Sequence, residues 1–197
     1  GIQSIHQIFR KIERAGMDAK TNKGGKPIAT VLPGTALGIG FELPLATHRI
    51  FAADNPKAKI GLPEILVGLF PGAGGTIRLV RKLGAMVAAP YLLEGKTLPP
   101  AKAKAAGLID SVSADPMADA RAWVLNATAA HLVKPWDQKG YKMPGGSPYH
   151  PSGFMTFIGA SAMVNGKTQG AYPAAKALLS AVFEGAQVPF ETALKIE

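Results

Sequence analysis

Apolar residues recur at helical spacing at the start of the chain. Ile5, Ile8, Phe9 and Ile12 predict one amphipathic helix over residues 2–15. A polar, glycine-containing stretch from Gly16 to Gly25 reads as a surface loop, and the apolar, β-rich run from Pro27 to Leu32 as a buried strand. Pro33 and Gly34 end that strand. A helix is expected to start near Gly38 to Gly40 and to run to His48, with Pro44 in its first turn, where a missing amide is tolerated. Arg49 to Ala53 is a strand and Lys59 to Leu62 a short extended piece. The glycine-rich loop from Pro71 to Thr76 opens a helix through Ile77, Leu79, Val80 and Leu83 that stops near Gly84. Further helices are expected over 85–93 and 99–106, the second closed by Gly107. A strand over 108–112 follows, then a helix from Asp115-Pro116 to about Leu132. At Lys134 the pattern changes. Pro and Gly recur through residue 153 with little periodicity, and helical pieces follow near 154–165, 173–185 and 190–197. Short strands alternating with helices give an α/β fold.

Composition narrows the function classes. Hydrophobic residues make up 47% and charged residues 18%, which suits a folded globular chain. No run of about 18 uninterrupted apolar residues is present, so no membrane span is expected. With no cysteine, disulfides, thiolate metal sites and a thiol nucleophile are excluded. The net charge of +9 is spread thinly and only 7% of residues are aromatic. That is unlike a nucleic-acid surface and better suited to an anionic small molecule.

Two acidic positions carry the candidate chemistry. Gly38-Ile39-Gly40-Phe41-Glu42 places glycines before a helix whose first amides lack intrahelical partners, with a carboxylate one turn on. Such amides, aided by the helix dipole, can hold an oxyanion. The same pattern also fits a tight turn with a glutamate favoured by the dipole. Leu62-Pro63-Glu64 supplies a second carboxylate, and two that converge can share acid and base work on a water. Spacing alone does not show convergence. The loop from Gly68 to Thr76 repeats the glycine-then-helix theme but lacks the Walker lysine and does not match GxGxxG. No serine sits in a GxSxG elbow, and no His/carboxylate cluster has metal-ligand spacing. His6 and His131 read as surface residues, and Trp123 and Trp136 as packing residues.

Residues 26–112 resemble the signature half of the crotonase (enoyl-CoA hydratase) family. The resemblance rests on four ordered runs: Ala36 to Leu43, Gly61 to Glu64, Pro71 to Thr76 with Arg78-Leu79, and Ala105 to Asp110. Lys134 to Asp137, and Tyr172 to Glu197, look like the segment joining hydratase and dehydrogenase parts in bacterial multifunctional fatty-acid oxidation α-subunits. The resemblance implies a partial crotonase spiral over residues 1–133 and a Pro/Gly arm with helical linker over 134–197. It implies hydration of trans-2-enoyl-CoA in fatty-acid β-oxidation, with Glu42 as the base on water and Glu64 as proton donor, the two sharing one water. Gly72 falls where an amide helps place that water. Gly38 and Ile39 fall at the oxyanion site, where Ile39 replaces a glycine and its β-branched side chain crowds the thioester. The step needs no cofactor and no metal, and NAD would belong to a dehydrogenase domain outside this chain. The implied partners are the acyl-CoA substrate and either further copies or a thiolase subunit, in the cytoplasm. Isomerisation of Δ3- to Δ2-enoyl-CoA and a non-catalytic interaction fragment remain alternatives. The family's first half would precede residue 1, so the chain is expected to be an internal fragment with little turnover of its own.

Overall fold

Two small parallel sheets organise the chain in a computed structural model that describes residues 1–168 and 172–197. Strand β1 (Ala29–Leu32) pairs in parallel with β3 (Arg49–Ala53), which pairs in parallel with β5 (Ser111–Ser113). Between β1 and β3 the chain leaves the sheet to form β2 (Ala36–Leu37) and helix α2 (Ile39–Leu45). Strand β2 then pairs in parallel with β4 (Ile60–Gly61). Parallel neighbours demand such crossovers, and they leave strand ends and helix starts together at one edge.

Helix α1 (Ile2–Glu13) precedes the sheet, and α3 (Gly75–Leu83) and α4 (Ala85–Leu93) follow β4. Gly84 separates α3 from α4 with φ +85°, a conformation that favours glycine. Helices α5 (Pro100–Ala105) and α6 (Pro116–Asn126) flank β5. The carboxylate of Asp115 caps α6 by accepting from the Ala118 amide. Helices α7 (Pro151–Thr168), α8 (Pro173–Gly185) and α9 (Phe190–Ile196) complete the described chain. One apolar cluster joins Phe41, Ile50, Leu62 and Leu79 to Phe157, Leu178 and Val182 of the later helices. A second gathers Ile77, Trp136, Phe190 and Leu194, with Trp136 stacked on Phe190. Residues 169–171, inside the expected linker, lie outside the described residues.

Four local expectations change. Pro44 lies in the second turn of α2, and the helix ends one residue later, so little of the ladder is lost. The last strand begins at Ser111, because Leu108 and Ile109 are drawn into the core and not into the ladder. Helix α6 stops at Asn126, where Ala127 turns extended and Thr128 and His131 cap a separate short turn. His6 is buried at 6% exposure. His131 is exposed, as expected.

Candidate active site

Glu42 reaches its place through a sharp backbone change. Gly38 follows β2 with φ +57°, and its carbonyl accepts the amides of Phe41 and Glu42, starting α2. Ile39 and Gly40, the first two helical positions, donate to no oxygen among the described residues, as helix starts require. The Ile39 side chain is 57% exposed. One turn in, Glu42 is buried at 3% exposure, and its Oε2 accepts the amides of Ala73 (2.8 Å) and Gly75 (2.7 Å). The loop can approach this closely because Gly75 has no side chain. A Cβ there would lie 2.6 Å from Glu42 Cγ. Burial raises the Glu42 carboxyl above the usual carboxylate range, while these amides and the nearby Arg78 guanidinium pull it back.

Glu64 opens a 3-10 turn, Glu64–Val67, that Gly68 closes in the left-handed region at φ +79°. The register of β2 with β4 sets Leu37 beside Gly61, and the Gly38 amide donates to the Gly61 carbonyl at 3.1 Å. This pairing brings the start of α2 alongside the Glu64 turn. A Cβ on Gly38 would come within 3.2 Å of Glu64 Oε1, so the second carboxylate rests against the start of the helix that carries the first. Glu64 Oε2 is buried with no hydrogen-bond partner among the described residues. Burial chiefly, and the Glu42 charge after it, raise the Glu64 carboxyl as well. Two carboxyls both raised by burial suit proton exchange with one small molecule.

Gly72 stands in the loop beside Glu42. Its carbonyl accepts from His6 Nε2 at 2.8 Å, and its amide is a further, weaker influence that lowers the Glu42 carboxyl. Thus Glu42, Glu64, Gly38 and the loop containing Gly72 come together, with Ile39 at their edge. A cleft of 570 Å³ along α1 and α9, lined by Gln3, His6, Arg10, Lys11 and Lys195 among others, contains neither glutamate. Chemistry, not volume, locates the site.

Several supporting residues were given no role by the sequence. Arg78, wholly buried, pairs with the equally buried Glu13 of α1 at 3.1 Å. His48 accepts the Ile28 amide at Nδ1 and donates from Nε2 to the Glu13 carbonyl, a tying role between α1 and β1. Lys134 donates from Nζ to the carbonyls of Leu45 (3.1 Å) and Thr47 (2.6 Å), closing the C-terminal end of α2. Burial pushes that ammonium down to about 8. Glu197 accepts the amides of Gly74 (2.7 Å) and Ile77 (2.9 Å) at the start of α3. Each is a contact between distant segments, which local spacing does not encode.

The chain is similar to known proteins in sequence and in fold. The profile of the family described as Enoyl-CoA hydratase/isomerase matches residues 10–134. The fatty acid oxidation complex subunit alpha of Shewanella amazonensis is 32% identical over 193 residues, 98% of this chain and 26% of that protein. The corresponding Vibrio parahaemolyticus subunit is 32% identical over 87% of this chain and 24% of its own length. The chain therefore spans about a quarter of the curated relatives it matches. The enoyl-CoA hydratase of Thermoplasma volcanium shares the fold, with TM-score 0.52, 24% identity and coverage of 93% of this chain and 60% of its own.

Proposed function

We propose that this chain, which belongs to the enoyl-CoA hydratase/isomerase family, carries the acid and base of an enoyl-CoA hydratase. The observation that supports this best is that the β2–β4 register sets the Glu64 carboxyl against Gly38, at the start of the helix that carries Glu42, with both carboxyls raised by burial. Glu42, held by two amides and near Arg78, acts as the base that takes a proton from water. The water oxygen bonds to C3 of a trans-2-enoyl-CoA as the double bond opens. Glu64, whose environment favours the protonated form, gives a proton to C2. The Ile39 amide, at the mouth of α2, accommodates the charge that develops on the thioester oxygen, and the Gly72 amide helps to seat the water. Hydration is redox-neutral, so this step calls for no redox cofactor. The exposed Leu66, Val67 and Leu69 beside Glu64 offer an apolar surface to the acyl chain. The names of its relatives support a role within a fatty acid oxidation complex, in the cytoplasm, with residues 134–197 as a Pro/Gly arm and helical linker towards a dehydrogenase domain.

Hydration of crotonyl-CoA by the purified protein tests the reading, with Glu42→Gln and Glu64→Gln as variants. Each is expected to lower kcat by roughly 100- to 10,000-fold, the range of a lost acid or base. Turnover of a 3-enoyl-CoA without hydration would assign isomerase chemistry instead. Because little turnover is expected of this chain alone, inactivity on both substrates would leave the interaction role only if calorimetry also showed no binding of crotonyl-CoA.

A further inference from the structure

The loop at the start of α3 is gripped from two sides. Its amides alternate between two carboxylates: Ala73 and Gly75 donate to Glu42, while Gly74 and Ile77 donate to Glu197. Gly74 makes the alternation possible, because its φ of +92° turns its amide away from those of its neighbours. The loop is tight on both faces. A Cβ on Gly75 would meet Glu42, and one on Gly74 would lie 3.1 Å from Leu194 Cδ2 of α9. Leu194 and Phe190 are buried in a cluster with Ile77, so α9 is fixed to α3 by packing as well as by Glu197.

We infer that Glu197 is a positioning residue for the hydration step: it clamps the loop from the far side, so that the Ala73 and Gly75 amides hold the Glu42 carboxylate in place. This rests on the hydratase reading above. It makes Glu197, with Phe190 and Leu194 packed behind it, part of the site's machinery. Charge behaves consistently with a shared helix start. Burial first, and the Glu42 charge with it, push Glu197 up to about 8, against the two amides and Arg78. The Ala73 and Gly75 amides and the Arg78 guanidinium favour the negative charge on Glu42 that a base requires.

The test compares Glu197→Ala and Glu197→Gln with Glu191→Ala, which alters an exposed acid of the same helix. Glu197→Ala is expected to lower kcat for crotonyl-CoA by roughly 10- to 100-fold with KM within about twofold, as for a catalytic group moved by a fraction of an ångström. Its acidic limb in the kcat profile should move to higher pH, because Glu42 loses ordered amides. Glu197→Gln retains one acceptor and should recover part of the loss. Glu191→Ala should match the unaltered protein. Hydrogen exchange gives a readout independent of turnover. The Ala73 and Gly75 amides should exchange about tenfold faster in Glu197→Ala, while those of β3 stay protected. Unchanged exchange at Ala73 and Gly75 would overturn the inference whatever the activity. An unaltered protein without hydratase turnover but with this exchange response would overturn only the hydratase reading. If Glu197→Ala does not fold, Glu197→Gln decides by the same two measurements.

Discussion

Gly75 is the residue on which the candidate site depends most narrowly. A methyl group there would sit 2.6 Å from Glu42 Cγ and 2.7 Å from Oε2, so the carboxylate must leave its two amides. Gly75→Ala should therefore reduce hydration by about 100-fold, the scale of a misplaced catalytic group. Gly159→Ala, where a Cβ meets nothing within 4 Å, should leave turnover unchanged and favour α7 by about 0.5–1 kcal/mol. Parallel kinetics and thermal melts check both. At this scale Glu42 and Glu64 stood out as candidates through the resemblance of the runs that hold them, Ala36 to Leu43 and Gly61 to Glu64, while their spacing alone did not show that they converge. His6 was not. A polar residue on an amphipathic helix reads as outward-facing, and nothing near it announces the Gly72 carbonyl 66 positions away that makes its burial tolerable.

Between elements, the contact of α1 with α3 depends on one ion pair. The side chains of Glu13 and Arg78 are both wholly buried. Removing one partner leaves a buried charge uncompensated, which costs about 3–5 kcal/mol. Glu13→Gln should lower stability by that amount in a denaturant titration. Glu191→Ala, which removes a pair whose acid is 61% exposed, should cost at most about 1 kcal/mol. The elements themselves were read well where local chemistry punctuates them. The glycines at 74 and 84 bound α3, and Pro27 and Pro33 frame β1. The reading failed where tertiary contacts decide the boundary. Leu108 and Ile109 look like strand residues, yet they fill the core while pairing with β3 begins at Ser111. The periodicity after Asn126 continues on paper, but Thr128 takes His131 Nδ1 as acceptor for its amide and ends the helix.

For the molecule as a whole, the α/β class followed from the alternation of short strands and helices. The way the last residues fold back onto the site did not, because Glu197 meets Ile77 across 120 positions and leaves no local pattern. That return has a consequence for stability against pH. Glu42, Glu64 and Glu197 all hold their protons more tightly when folded than the usual 4.5 of a free glutamate. The folded state therefore binds more protons than the unfolded chain once pH passes about 4.5, and stability falls as pH rises. For Glu197 the fall extends to about 8, and above that both states are ionised and the loss is complete. Lys134 acts in the opposite sense and in another window. Its folded value of about 8 lies below the ordinary 10.5, so stability rises between those values as the unfolded chain alone still binds the proton. His6 and His48, both lowered by burial, add a rise as pH climbs towards 6.5. Melting temperatures from pH 5 to 10.5 should separate the contributions. Glu197→Gln should lose stability less steeply than the unaltered protein between pH 5 and 8, and run parallel to it above. Lys134→Met should lack the rise above pH 8 and differ little in slope below. A constant offset between Glu197→Gln and the unaltered protein across pH 5 to 8 would mean that Glu197 does not titrate there. The enclosure of its carboxylate against α3 would then be looser than the two amide contacts indicate.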